Sequence, residues 1–386
     1  MVRQTLDVIL LSAVLVLLLF SVCFVYTASS AKAERDHGDH AFFLKRQLLR
    51  LVAGLILLAL MVKLDYHRIL QCSPAIFWIT AALLIALLFA PPSWIVRGSR
   101  RWLMIGSFSL QPSELAKFGL IAYLSANLAR PQVDLGKLTD GLLPQLILIA
   151  AVAIPVLLEP DMGTALVLCA VGLCILFVRG ARLHHLFLLI SSGVLVAVLM
   201  MWSVAYQRGR VESFIDSFTG KAEPAWQVKQ SLIGLGTGGL TGLGLGKSKQ
   251  KLLFLPDPFT DFIMSIIGEE LGILGTLAVV ALFLIIVWRG FRIAGRAPDD
   301  AGKLLAMGIT LAIGLNAFIN MAVVTNLLPT TGIPLPFVSY GGSSLLMNLI
   351  GVGILLNISS LGAGNKKAGT ASVPLARVRW YRDQKR

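Results

Sequence analysis

Ten apolar runs constrain this chain more than any other feature. A bilayer core about 30 Å thick takes roughly 20 apolar residues to cross as a helix. Runs of about that kind, some of them short, lie at residues 8–28, 47–64, 74–90, 113–129, 143–158, 161–178, 184–205, 262–288, 304–326 and 341–361. Lipid offers backbone groups no hydrogen bonds, so such runs must be helices that satisfy themselves. The expected fold is therefore an all-α polytopic membrane protein of about ten transmembrane helices. The ten-helix membrane domain spans 1–361, with a long extracytoplasmic loop at 207–260 between helices 7 and 8 and a basic cytoplasmic tail at 362–386. Composition agrees: 56% of the 386 residues are hydrophobic and 14% charged, against roughly 45–50% and about 25% in soluble chains. Such numbers exclude a string of soluble domains and exclude disorder. The first run is long enough to span and reads as a retained helix rather than a cleaved leader.

Net charge is +14, from 34 Lys and Arg against 20 Asp and Glu. No basic face alternates with aromatics, so nucleic acid is not the expected partner. Basic residues instead mark the cytoplasmic side. With both termini placed inside, eighteen cations fall on inner segments and seven on the short outer loops. The other outer cations belong to the long loop, which counts for little in this rule. Arg97, Arg100 and Arg101 break the trend by crowding one short outer loop. A phosphate-bearing lipid substrate and ordinary headgroups are both suitable anionic partners. Cys23, Cys72, Cys169 and Cys174 include no CxxC spacing, which argues against a zinc site or a disulfide framework.

Ionisable residues inside spans are costly and default to functional candidates. The fourth span opens Gln111-Pro-Ser-Glu-Leu-Ala-Lys117. Pro112 suits a first helical turn, and Glu114 suits the positive end of the helix dipole. Glu114 and Lys117, three apart, share a face. They form either a local ion pair or a site where Lys117 lines a polar cavity. The eighth span is approached by Leu255-Pro-Asp-Pro-Phe-Thr-Asp-Phe262, whose prolines set a helix start near Thr260. Asp261 then sits at the membrane edge, where an Asp also serves as an ordinary helix cap. Glu269 and Glu270 lie roughly 12 Å deeper. Glu269 is some 80° round the helix from Asp261 and Glu270 is opposite, so only one easily shares Asp261's cavity. Both must be neutral, paired or in water.

The long loop contains a GxGxxG match at 234–239, but no strand precedes it, so a dinucleotide fold is not expected. Gly246-Lys-Ser248 likewise fails the P-loop spacing. These glycines fit a mobile or re-entrant segment that approaches substrate closely. The last outer loop, 328–344, has three prolines, three glycines, several hydroxyls including Ser343, and no charge. It is longer than a turn requires, and such backbone at membrane depth fits the wall of a cavity.

Taken together, Gly98-Ser-Arg-Arg-Trp102, Gln111 to Lys117, Gln230-Ser-Leu through Gly246, Leu255 to Phe262, Gly268-Glu-Glu-Leu-Gly272 and Pro334 to Ser344 resemble the SEDS family of bacteria (shape, elongation, division and sporulation proteins). They occur in the family's order over most of the chain, and the 243–251 and 329–334 segments look more FtsW-like than RodA-like. The resemblance implies a peptidoglycan glycosyltransferase that polymerises lipid II at the outer face of the cytoplasmic membrane during cell division. It implies a class B penicillin-binding protein and other divisome proteins as partners, and undecaprenyl-pyrophosphate-linked glycan as donor. It makes Asp261 the catalytic carboxylate. Asp257 departs from the family's usual Glu and is given no role.

The expected chemistry is general-base attack by a sugar hydroxyl with inversion, Asp261 taking the proton. Arg101, Lys117 and Arg100 are the candidates facing the pyrophosphate. Glu114, Glu269 and Ser343 are further candidates for substrate binding, and Trp102 either stacks on sugar or anchors at the interface. A divalent cation, Mg²⁺ or Mn²⁺, is compatible with pyrophosphate chemistry. The alternatives are a lipid II flippase, an elongation polymerase of the RodA type, and a scaffold without catalysis.

Overall fold

The computed structural model describes residues 6–90, 101–105, 108–187, 191, 193, 205–252 and 254–367. The helices are α1 (Val8–His37), α2 (Phe42–Lys63), α3 (Tyr66–Leu88), α4 (Pro112–Leu128), α5 (Leu143–Leu158), α6 (Met162–Val178), α7 (Ala205–Phe218), α8 (Trp226–Thr237), α9 (Ile263–Ala294), α10 (Asp300–Val324) and α11 (Gly342–Lys367). A short antiparallel hairpin, β1 (Leu103–Ile105) and β2 (Phe108–Leu110), precedes α4. Among the described residues six helices are long and apolar enough to cross a bilayer. Among the described residues, α1 to α6 and α9 to α11 coincide with nine of the ten expected spans. The remaining one, 184–205, lies mostly outside them, as does the tail from 368 onward. Two expectations shift: α11 continues past 361 to Lys367, and the long loop carries two helices, α7 and α8.

Lipid reverses the usual burial pattern. Leu15, Leu19, Ile56, Trp78 and Ile79 point outward, while Gln47, Thr310, Asn320 and Asn348 are buried within the bundle. α11 packs along α2, α9 along α10 and α3 along α4. Asp7 caps α1, accepting from the Leu10 N–H at 3.0 Å, and Gly38 ends it in the left-handed region. Its 30 residues span about 45 Å, more than the hydrocarbon core needs. Both ends are tied to the approach and exit of α9. Arg289 Nε donates to Asp7 at 2.9 Å, and Lys32 pairs with Asp257. At the same end as Asp7, Asp299 caps α10 and accepts from Tyr66 at 2.8 Å and Gly302 N–H at 2.6 Å, with His67 2.7 Å away. Burial alone would raise the Asp299 carboxyl, but these hydrogen bonds hold it below the usual carboxylate range.

α9 is interrupted. Gly272 has φ 68° and ψ −162°, a region almost closed to residues with a Cβ. In a continuous helix the N–H groups of 273 and 274 would reach the carbonyls of 269 and 270. Here Ile273 N–H donates to Gly239 C=O at 2.9 Å and Leu274 N–H to Leu240 C=O at 3.3 Å, while Leu243 and Gly244 N–H donate to the Glu269 and Glu270 carbonyls at 2.9 and 3.0 Å. The outer loop is thus threaded into the broken ladder of the helix. A Cβ at Gly272 would stand 2.5 Å from both Gly242 N and Leu240 O.

Gly272→Ala therefore combines backbone strain of about 1–3 kcal/mol with a steric clash. It is expected to lower the thermal unfolding temperature in detergent and open residues 238–252 to protease. Gly295→Ala, at φ −68° with only ordinary contacts, is expected to change neither.

Candidate functional site

A cavity of about 470 Å³ opens among α4, the start of α6, α7, the approach to α9 and the 331–344 segment. Asp261, Arg101, Glu114, Asp161 and Arg210 supply its charged lining, with Trp102, Gln111, Thr260 and Tyr340 beside them.

The approach to α9 is built as the prolines require. Residues 257–260 form a tight turn, Asp257 itself at φ 46°, closed by Thr260 N–H and Oγ1–H on the Asp257 carbonyl at 3.1 and 2.8 Å. Phe259 packs on Phe43 and Tyr340, and its carbonyl accepts from Tyr340 N–H at 2.8 Å. Asp261 follows, with Oδ1 2.7 Å from Thr260 Oγ1. The single hydroxyl proton of Thr260 thus has two acceptors in reach, one of them the Asp261 carboxylate. The helix begins at Ile263, capped by Phe262 with no side-chain bond, so Asp261 stands just outside the first turn. It does not cap this helix.

Across the cavity, Arg101 is fixed by the turn between α5 and α6. Its Nε donates to Glu159 C=O at 3.3 Å, its Nη2 to Pro160 C=O, and Asp161 lies 3.9 Å away. Asp161 caps α6 by accepting from Thr164 N–H and Oγ1–H, and also accepts from Gln111 Nε2. The guanidinium is anchored mainly by backbone, which leaves it charged toward the cavity. Glu159 is 1% exposed, and no donor among the described residues reaches either of its carboxylate oxygens. Burial chiefly, then the nearby Asp161, pushes its carboxyl up to about 8, against an opposing pull from Arg101.

Other candidate residues are placed differently. Lys117, 1% exposed, lies behind Glu114, its Nζ donating to Oε1 and Oε2 at 3.1 and 3.0 Å. The ion pair is the reading the structure supports, and Glu114 rather than Lys117 faces the cavity. Ser343 sits beneath it, accepting from Gln111 N–H at 2.9 Å and donating to Ser109 C=O at 3.3 Å, where it fixes the hairpin against α4. Glu269 does not line the cavity. Both buried glutamates instead receive the loop: Glu269 accepts from Lys249 N–H at 2.9 Å, Gln250 N–H and Ser248 Oγ–H, and Glu270 from Gly246 N–H at 2.9 Å, Ser248 N–H and Lys251 Nζ. They are paired, largely with main-chain donors that side-chain spacing along a helix does not reveal. Trp102 and Arg101 line the cavity, and Arg100 lies outside the described residues. Among the described residues no three His, Cys, Asp or Glu side chains are placed to hold a metal ion, so no step is routed through one.

Asp161 and Arg210 were not singled out from sequence. Asp161 gave a signal, an acid after Pro160 at a span boundary. Arg210 gave only its charge within the long loop. It is held over the cavity by a 3.0 Å bond from Nη1 to Thr330 C=O.

A carboxyl whose folded value lies above its unfolded value of about 4.5 favours the fold most at low pH. That contribution is lost as pH rises from about 4.5 to 8, because the unfolded state binds fewer protons there. Glu159→Gln is expected to raise the unfolding temperature at pH 7.5 and to flatten its decline over that window. Thermal scans of both proteins from pH 5 to 9 check this.

The family model described as "Cell cycle protein", which covers FtsW, RodA and SpoVE, matches residues 8–362. The chain is 39% identical over 354 residues to the probable peptidoglycan glycosyltransferase FtsW of Geobacter sp. (strain M18), covering 92% of this chain and 96% of that protein. It is 38% identical over 353 residues to stage V sporulation protein E of Bacillus subtilis (strain 168), with the same two coverages. Two solved structures share the architecture. One, described as "Structural coordination of polymerization and crosslinking by a peptidoglycan synthase complex", contributes a chain with TM-score 0.75 and 27% identity, covering 93% of this chain and 98% of that one. The other is the rod shape determining protein RodA of Thermus thermophilus, with TM-score 0.67 and 26% identity, covering 92% and 97%. A match along nearly the whole membrane domain, with FtsW and SpoVE relatives at this identity, shows that the chain belongs to the FtsW/RodA/SpoVE family and is FtsW-like within it.

Proposed function

We propose that this protein is a peptidoglycan glycosyltransferase that polymerises lipid II into glycan strands, working in cell division. The relatives named FtsW support the activity. The observation that carries the site assignment is a carboxylate, Asp261, in the same cavity as two guanidinium groups held by carbonyls, Arg101 and Arg210.

In the proposed reaction a lipid II sugar hydroxyl attacks the anomeric carbon of the growing glycan. The new C–O bond forms as the bond to undecaprenyl pyrophosphate breaks. Asp261 takes the hydroxyl proton, and the pyrophosphate leaves with the electron pair. Attack opposite the leaving group inverts the anomeric centre. Arg101 and Arg210 offset the charge that develops on the pyrophosphate, where preorganised cations count most. Glu114, held by Lys117, and Trp102 are placed to meet sugar hydroxyls and a sugar face. The protein lies in the bacterial cytoplasmic membrane with both termini inside and the cavity facing out. A class B penicillin-binding protein is the proposed partner, in keeping with the synthase complex that shares the fold.

Purified protein with labelled lipid II is the test. Asp261→Ala and Asp261→Asn are expected to cut polymer formation by at least about 10²-fold, the typical weight of a positioned base, with the thermal transition unchanged. Undiminished polymerisation by Asp261→Asn would sink the assignment. A translocator needs no base, so lipid II movement in liposomes that persists without polymer would favour the flippase reading.

A further inference from the structure

Asn320 lies on α10 near its end, 1% exposed, at the back of the cavity wall. Its Nδ2 donates to the main-chain carbonyl of Asp261 at 2.7 Å and to that of Ile333 at 2.8 Å. Thus both protons of one carboxamide go to carbonyls on two separate segments, and each segment contributes to the cavity lining. No donor among the described residues reaches its Oδ1. The amide cannot be turned over, because that would aim oxygen lone pairs at two carbonyl oxygens.

Asp261 needs such a support. It stands two residues before the first helical residue, and the first turn closes from Ser265 N–H to Phe262 C=O at 3.0 Å. Among the described residues, the donor to the Asp261 carbonyl is Asn320. The opposite carbonyl belongs to a packed segment. Ile333 and Thr331 lie against the start of α6, where a Cβ on Gly163 would come within 2.8 Å and 2.9 Å of their side chains. The carboxamide thus ties Asp261's backbone to a segment that rests on α6.

From this geometry we infer that Asn320 is the positioning residue for Asp261: it holds the carboxylate-bearing turn in register with the 331–333 lip and touches no substrate itself. The inference rests on Asp261 being the base. Asn suits the task because a single nitrogen supplies two divergent donors at short reach. Leu fills similar space with no donor. Asp has the same shape but, when ionised, sets acceptors against two carbonyls; protonated, it recovers one donor. Loss of the clamp leaves two carbonyls, that of Ile333 buried, without this donor, and the turn shifts to find other partners. A misplacement near 1 Å costs on the order of 10²-fold in rate.

The experiment measures steady-state lipid II polymerisation by full-length wild type, Asn320→Leu, Asn320→Asp and Asp261→Asn, each with a thermal scan. Asn320→Leu is expected to lower kcat roughly 30- to 100-fold with KM within about threefold, because binding groups are untouched. Asn320→Asp is expected to lose more activity at high pH than at low pH relative to wild type. If Asn320→Leu does not fold, the pH profile of Asn320→Asp gives the same reading on folded protein. An unchanged kcat, or equal losses in kcat and binding with a depressed unfolding temperature and no pH effect, overturns the inference. Normal polymer from Asp261→Asn would instead overturn the base assignment beneath it.

Discussion

Main-chain hydrogen bonding at the Gly272 break is the interaction on which the outer half of this structure depends. A helix opened at membrane depth exposes two carbonyls and two N–H groups that lipid cannot satisfy. Residues 239–244 meet all four, and the Glu269 and Glu270 carboxylates then take up the amides of Gly246, Ser248, Lys249 and Gln250. What the sequence presents as a long glycine-rich loop is thus docked along one side of α9. That docking carries α8 against α9 and α10, and α7 is tied to the 326–330 segment through Arg210 and Ser217. The cavity wall above Asp261 follows from these attachments.

Inside the cavity, fixation and chemistry are divided between different atoms. Arg101 gives its N–H groups mainly to carbonyls and keeps its charge, while Asp161 accepts from the first turn of α6 and Ser343 accepts from Gln111 N–H and donates to the hairpin. Among the described residues the carboxylate of Asp261 has Thr260 as its hydrogen-bond donor, and its main chain is held by Asn320. Preorganisation of this kind lets charged groups act without first reorganising.

The spans were legible because apolar runs of bilayer length permit little else. Two prolines marked a helix start beside Asp261, but only the family resemblance pointed to that residue as the base. Spacing put Glu114 and Lys117 on one face without deciding between an ion pair and a lysine lining the cavity. Glu269 was misjudged for a physical reason: helical phase says which way a side chain points, but not that a loop's amides will come to meet it. Asn320 escaped because an uncharged polar residue in an apolar run has many innocent uses, and its partners lie on other segments. Asp161 and Arg210 carried charge, yet only the fold brings them to the cavity.

The two ion pairs of α1 bear on the order of assembly. Asp7 and Arg289 are 282 residues apart, and Lys32 and Asp257 are 225 apart. α1 therefore finds its charged partners only after more than two hundred further residues have been made. Contacts of such separation form late, since the intervening loop must close first. Until then Asp7 and Lys32 can remain hydrated at the two membrane surfaces. Docking α1 along α9 joins two elements far apart in the chain. The turn that carries Asp261 is braced by Lys32 only at that step, so the site is completed together with the fold.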